Sequence, residues 1–266
     1  METLRFERDE RGVATLTFDR PEKKNAISPA MWAELVDVLD TVEDDRDTRV
    51  LVLTGAGDAF TSGADLDPGG LGDIADGGVG GLGRAVRSMR IVGRAALRLH
   101  ELHTPTIAAV NGVTAGAGCN LALGCDLIVA ADTARFSEIF ARRGLALDAG
   151  GSWLLPRLVG LHRAKQLAFL ADIVSAKEAE QLGLVNWVVP AGELPAFVAD
   201  LAGRIAAQPP VQVQMIKRQL NQSFSVSMAE ALEFEDLVQA ANFGSRDTAE
   251  AMRAFLERRE PRFTGE

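Results

Sequence analysis

The sequence predicts an α/β core followed by a helical C-terminal third. Two observations carry that reading: short apolar runs alternate with helix-period segments over the first part of the chain, and helical patterns dominate from Ser152 onward. Leu4 to Arg8 and Val13 to Phe18 read as a hairpin pair. Ser28-Pro29 then opens a helix, with Pro at its first position and Met31, Trp32, Leu35, Val38 and Leu39 at helical spacing. Val50 to Thr54 is a strand bounded by Gly55-Ala56-Gly57. The alternation continues through a helix over Ile91 to Leu102, a strand over Thr106 to Val110, a helix after Ala117 and a strand over Leu127 to Ala131. Ser175-Ala176-Lys177-Glu178 is a capping box opening a short helix. A strand over Leu184 to Val189 follows, and helices are predicted over 194–207, 211–221, 228–242 and 246–258.

Pro68 to Gly83 is dense in glycine and poor in apolar residues. Gly78-Val79-Gly80-Gly81-Leu82-Gly83 spells a dinucleotide-type fingerprint, but it follows no strand, so the segment reads as a surface loop flanking a substrate entrance.

The chain has 266 residues, enough to bury a large core, with 47% hydrophobic and 24% charged residues. Asp plus Glu outnumber Lys plus Arg by 37 to 28, for a formal net charge of -9, which argues against a nucleic-acid partner. No apolar run is long enough to span a membrane and the start lacks a secretory apolar region, so the expected compartment is the cytoplasm. Cys119 and Cys125 read as buried small residues. His100, His103 and His162 lack the spacing of a metal site or a nucleophile triad, so no metal is expected.

The chemically informative stretch runs from Ala109 to Asp126. An apolar strand breaks at Asn111-Gly112, crosses small residues and becomes helical, so bare backbone can bring free N–H groups to an oxygen anion. Further on, Leu147-Asp148-Ala149-Gly150-Gly151 supplies a carboxylate; a competing role for Asp148 is to cap the helix at Gly151.

Four motifs in order identify the chain as a member of the crotonase superfamily of enoyl-CoA hydratases and isomerases. They are Asp19-Arg20-Pro21 with Lys24-Asn25-Ala26, Phe60 to Leu66, the 109–126 stretch, and Gly144 to Ser152. The resemblance implies a crotonase-like spiral of ββα units over 1–195 that binds an acyl-CoA thioester. It also implies a C-terminal helical region over 196–266 that assembles a homotrimer or a hexamer. CoA would be part of the substrate, with no separate cofactor. The resemblance places the thioester carbonyl between the N–H groups of Ala64 and Ala117, where family members usually carry Gly at the second position. Lys24, Ala26, Ser62, Asp65, Leu66, Gly116, Phe140 and Trp153 would line the substrate. Asp65 and Asp126 also have a structural reading, as turn-amide acceptors. Arg258, Arg259, Arg262 and Phe263 resemble the family's C-terminal segment that reaches CoA on a neighbouring subunit.

Hydration in this family uses two glutamates. Aligning on Gly118-Cys119 puts Asn120 at the first of those positions, and counting back from Gly150-Gly151 puts Phe140 at the second. Neither side chain is a base. Asp148 with Asn120 instead resembles the isomerases acting on ring-epoxide phenylacetyl-CoA and on 3-enoyl-CoA, in which one carboxylate can move a proton between two carbons. Burial would raise its pKa for that task. Glu138 lies on the face of Phe140 if 136–140 is extended; it then points into the pocket as a substitute carboxylate, or else takes a surface or interface role. Weak hydratase activity through Glu138 or Asp148, and a non-catalytic acyl-CoA binder, are the alternatives.

Overall fold

A computed structural model describes residues 1–66 and 81–266. β1 (Leu4–Arg8) and β2 (Val13–Phe18) pair antiparallel, in the predicted hairpin. α1 (Pro29–Asp44) starts where the Ser28 hydroxyl accepts the Met31 N–H at 3.2 Å, and it buries the five side chains the sequence spacing picked out together with Val36 and Val42.

From β3 onward, strands come in successive pairs that divide between two sheets. β3 (Val50–Gly55) is followed by β4 (Ala59–Thr61), β5 (Thr106–Val110) by β6 (Val113–Ala115), and β7 (Leu127–Ala131) by β8 (Arg135–Ser137). With β9 (Val174–Ser175) and β10 (Trp187–Val189), the orders are β1-β2-β3-β5-β7-β10 and β4-β6-β8-β9. Each pair leads to a helix: α2 (Gly81–Glu101), α3 (Ala117–Leu123) and α4 (Gly151–Val159). This is a spiral of ββα turns.

The larger sheet is covered on both faces, which is why β5 is wholly buried and apolar from Ile107 to Val110. Leu51, Leu53, Ala108 and Val110 enter the main core with α1 and α3, while their neighbours Val50, Val52, Ile107 and Ala109 enter a second core. The second core is closed by Val198, Leu201 and Ala202 of α7 (Leu194–Ala206), so the helical region begins as part of the sheet's own covering. Beyond it lie α8 (Pro210–Gln222), α9 (Met228–Phe243) and α10 (Arg246–Glu257). An ion pair with a buried lysine and a solvent-accessible aspartate fastens α8: Lys217 Nζ sits 2.8 Å from Asp126 Oδ2 and donates to the Thr104 carbonyl at 3.1 Å. Two further helices, α5 (Leu161–Leu170) and α6 (Ala176–Leu182), follow α4, and α6 carries the expected capping box.

Three sequence expectations are corrected. The helix expected from Ile91 begins at Gly81, because Gly83 and Gly93 sit in open space on its surface and do not stop it. The glycine-rich segment otherwise lies outside the described residues. The strand expected from Leu184 starts only at Trp187, after the left-handed Gly183 and three residues outside the strand. Residues 136–140 are not extended throughout: β8 ends at Ser137 and a 3-10 helix runs from Ile139 to Arg143.

Candidate active site

The turn after β6 carries Gly116 at φ 54 and ψ -128, a conformation suited to glycine, and then starts α3 at Ala117. Ala117 is not among the positive-φ residues, so alanine occupies this position without strain. As the first helical residue it has no intrahelical carbonyl for its N–H. The helix itself is only two turns long.

The strand-like segment 61–65 packs against this turn. A Cβ on Gly63 would fall 2.6 Å from the Ala115 carbonyl oxygen and 3.6 Å from the Ala117 nitrogen, and one on Gly118 would strike Thr61 Cγ2 at 2.4 Å. Glycine at both positions is therefore a condition of close approach. The ladder beside it is made by Ser62 N–H on the Lys24 carbonyl (2.9 Å), Ile27 N–H on Gly63 (2.8 Å) and Asp65 N–H on Ile27 (3.0 Å). In this parallel bridge the Ala64 N–H takes no part in the ladder with Ile27. The two predicted amides thus belong to directly packed segments.

Lys24 and Asn25 both have positive φ, and the buried Asn25 ties the loop by donating to the carbonyls of Ala56 (2.9 Å) and Ala59 (2.8 Å). Ala26 is buried beside it, while Lys24 is exposed, its ammonium 3.8 Å from Asp58. Asp65 pairs with Arg20 at 2.9 Å, and Asp126 accepts the Thr106 N–H at 2.7 Å and its hydroxyl at 2.9 Å. Both aspartates make structural contacts, but where turn amides were expected Asp65 meets the side-chain cations of Arg20 and Lys23, and Asp126 the first residue of β5. Leu66 is exposed.

Asn120 is fully buried on α3 and donates from Nδ2 to the Asp148 carbonyl at 2.9 Å. Its amide also fills the place where a Gly151 Cβ would lie, 2.3 Å from Nδ2, so α3 and the loop before α4 interlock. Asp148 does not cap α4 with its side chain; the Gly151 N–H bonds to its carbonyl oxygen at 2.9 Å. Its carboxyl atom Oδ1 is buried and has no hydrogen-bond partner among the described residues, and desolvation lifts its pKa from 3.8 to about 6. Phe140 is buried, with its ring edge 3.7 Å from where a Cβ on Gly116 would be.

Glu138 overturns the surface reading. It is 4% exposed, because the chain turns into the 3-10 helix immediately after it instead of continuing along the sheet. Burial lifts its pKa to about 7; the Cys119 thiol and Asn120 amide oppose that rise, and the Asp148 charge adds to it. Neither carboxyl oxygen is engaged in a formed hydrogen bond within the described residues. Sequence reasoning also missed Thr61 as the buttress of Gly118 and Cys119 as the neighbour of Glu138. Both cysteines are buried, and burial pushes the Cys125 thiol up to about 12.

A cavity of about 880 Å³ is lined by Asn120 and Ala149 together with residues of α2, α4 and α8. Trp153 stands in its wall, edge-on to His100 (centroids 5.0 Å apart) and beneath the Arg157 guanidinium at 3.8 Å. At the C-terminus, Arg259 is taken by ion pairs to Glu250 and Glu257, and the Phe263 carbonyl accepts from Arg49 at 3.0 Å. Among the described residues no group of three or more His, Cys, Asp or Glu is arranged to hold a metal, and no helix is long and apolar enough to cross a membrane.

A ββα spiral with closely packed small-residue turns is the crotonase fold, the scaffold of enzymes that work on acyl-CoA thioesters. The chain belongs to the enoyl-CoA hydratase/isomerase family, whose model matches residues 8–266. It is 40% identical over 261 residues to the 1,2-epoxyphenylacetyl-CoA isomerase of Escherichia coli, with 96% of each chain covered. It is 35% identical over 264 residues to the crotonyl-CoA hydratase of Syntrophomonas wolfei, with 98% of each covered. The crystal structure of an enoyl-CoA hydratase from Bacillus anthracis superposes with a TM-score of 0.92 at 30% identity, covering 99% of this chain and 100% of the other.

Proposed function

We propose that this protein shifts the double bond of an enoyl-CoA thioester. The Asp148 carboxylate takes a proton from C2 of a 3-enoyl thioester, and the electron pair moves onto the thioester oxygen. Ala64 and Ala117 N–H groups hold that oxygen, and the Asp148 carboxylic acid returns the proton at C4, which regenerates the base. Prepositioned amides suit this step because they meet the developing charge without reorganising; each donor is worth about 2.7–4 kcal/mol. The observation that carries the reading is Asp148 itself: a carboxyl with a buried, unpartnered oxygen and a pKa raised to about 6, on a loop tied to Asn120. A base and an acid of that strength can alternate near neutral pH. The name of the Escherichia coli relative adds ring-epoxide phenylacetyl-CoA to the substrates to be tried. Assaying 3-enoyl-CoA isomerisation with wild type and Asp148→Asn tests the role; equal rates would remove it.

A hydratase reading is favoured by one observation, the buried Glu138 with its pKa near 7, and by the hydratase names among the relatives. It predicts robust hydration of crotonyl-CoA that Glu138→Gln abolishes. A non-catalytic acyl-CoA binder would show thioester binding without exchange of substrate α-protons in heavy water. Assembly as a homotrimer or hexamer fits the apolar side chains exposed on the C-terminal helices, such as Leu220, Leu237, Phe243 and Phe255. The expected compartment remains the cytoplasm, with CoA supplied as part of the substrate.

A further inference from the structure

The cavity of about 880 Å³ starts beside the candidate catalytic groups. Asn120 in its wall lies one helical turn beyond Ala117, and Ala149 directly follows Asp148, so the cavity touches both α3 and the loop that carries the base. Lys24, Ala26 and Ser62, expected on the CoA side of the site, are not in its described wall. A four-carbon acyl chain displaces roughly four waters, about 120 Å³ at about 30 Å³ each, and would leave most of this space to solvent. The volume instead falls in the range of about 300–1,000 Å³ that encloses a drug-sized ligand.

The wall has two kinds of surface. Leu121 of α3 and Leu154 and Trp153 of α4 are apolar or aromatic, whereas every residue contributed by α8 is polar or charged. Lys217 is already committed to Asp126 and the Thr104 carbonyl. His100 is not committed: its ring stands edge-on to Trp153, centroids 5.0 Å apart, and makes no hydrogen bond among the described residues. Its backbone is held, because the Asn221 side chain of α8 donates to the His100 carbonyl at 3.1 Å. Burial first, and then the Lys217 charge, lower the His100 pKa, so the ring is neutral near pH 7, with one N–H donor and one acceptor nitrogen. A hydroxyl, which also donates and accepts, is its natural complement.

We propose that this cavity receives the far part of the acyl group and selects large, hydroxyl-bearing acyl groups over short unsubstituted ones, with His100 the specificity-determining residue that hydrogen-bonds the hydroxyl. The apolar wall of α3 and α4 holds the body of the group, and the His100–Trp153 pair flanks its end. The inference rests on the proposed function only in taking an acyl-CoA thioester as the ligand; which reaction follows does not enter it.

Saturated acyl-CoA thioesters, which can be neither isomerised nor hydrated, test it by calorimetric titration of the full chain. The tails compared are butyryl, a longer tail ending in a phenyl ring, and that tail with a para-hydroxyl on the ring. Wild type should bind the phenyl-ended thioester about tenfold or more tighter than butyryl-CoA, from the apolar area buried. The hydroxyl should add about fivefold, the worth of one hydrogen bond. Absence of either preference overturns the proposal without recourse to a variant. His100→Phe keeps a ring against Trp153 but has no N–H, and should cancel the advantage of the hydroxyl; His100→Gln, which both donates and accepts, should restore part of it. Ala96→Phe puts a ring into the cavity from α2 and should remove the preference for the large tail. A hydroxyl advantage that survives His100→Phe, or a large-tail preference that survives Ala96→Phe, overturns the assignment. Failure of the acyl-CoA reading shows separately, as no binding of any of the thioesters, whereas failure of this inference shows as binding that ignores the tail.

Discussion

Replacing Asp148 by Asn removes a charge from a site that penalises it, so the variant should be more stable than wild type at neutral pH while losing function. The folded protein holds the Asp148 proton up to about pH 6, whereas the unfolded chain releases it near 3.8. Between those values the native state binds more protons than the unfolded state, and stability falls as pH rises. At about 1.4 kcal/mol per pH unit, the gap sets a ceiling of about 3 kcal/mol. Asp148 is partly exposed, so solvent screening lowers the expected gain to roughly 1–2 kcal/mol. Urea titrations of both proteins from pH 3 to 8 measure it. The stability difference should open between pH 3.8 and about 6 and then stay flat. A difference that does not vary with pH, or an Asn variant less stable above pH 6, would refute the assignment of Asp148 as a desolvated carboxylate.

Three other substitutions probe the supports of the site. Ala117→Pro deletes one N–H at the first position of α3, where proline fits a helix, and should lower kcat about 10²–10³-fold in an isomerisation assay with an unchanged circular dichroism spectrum. Gly118→Ala puts a methyl 2.4 Å from Thr61 Cγ2 and 2.8 Å from the Thr61 carbonyl oxygen, and should cost about 1–3 kcal/mol in chemical denaturation. Lys217→Met removes the pair with the solvent-accessible Asp126 and the bond to the Thr104 carbonyl and should cost about 1–2 kcal/mol, seen also as faster hydrogen exchange along α8.

The larger sheet was legible because its strands are either hairpin partners or short runs apolar on both faces; β1, β2, β5 and β7 have the ends read from the sequence. Strands β4 and β6, three residues each, leave no periodic signal, although they carry Thr61 and the turn to Ala117. Asn120, Asp148 and the two small-residue turns stood out through motif order. The placement of Glu138 was not legible: a glutamate near a strand end reads as surface, and only the switch to a 3-10 helix at Ile139 buries it. The start of α2 was obscured by glycines that lie on an open helical face.

The central claim is that Asp148 moves the proton at an enolate site. Steady-state isomerisation of a 3-enoyl-CoA by wild type and Asp148→Asn tests it most directly. The expected result is measurable turnover by wild type and a fall in kcat of about 10²–10⁴-fold in the variant, with thioester binding retained. Equal rates for the two proteins would contradict it.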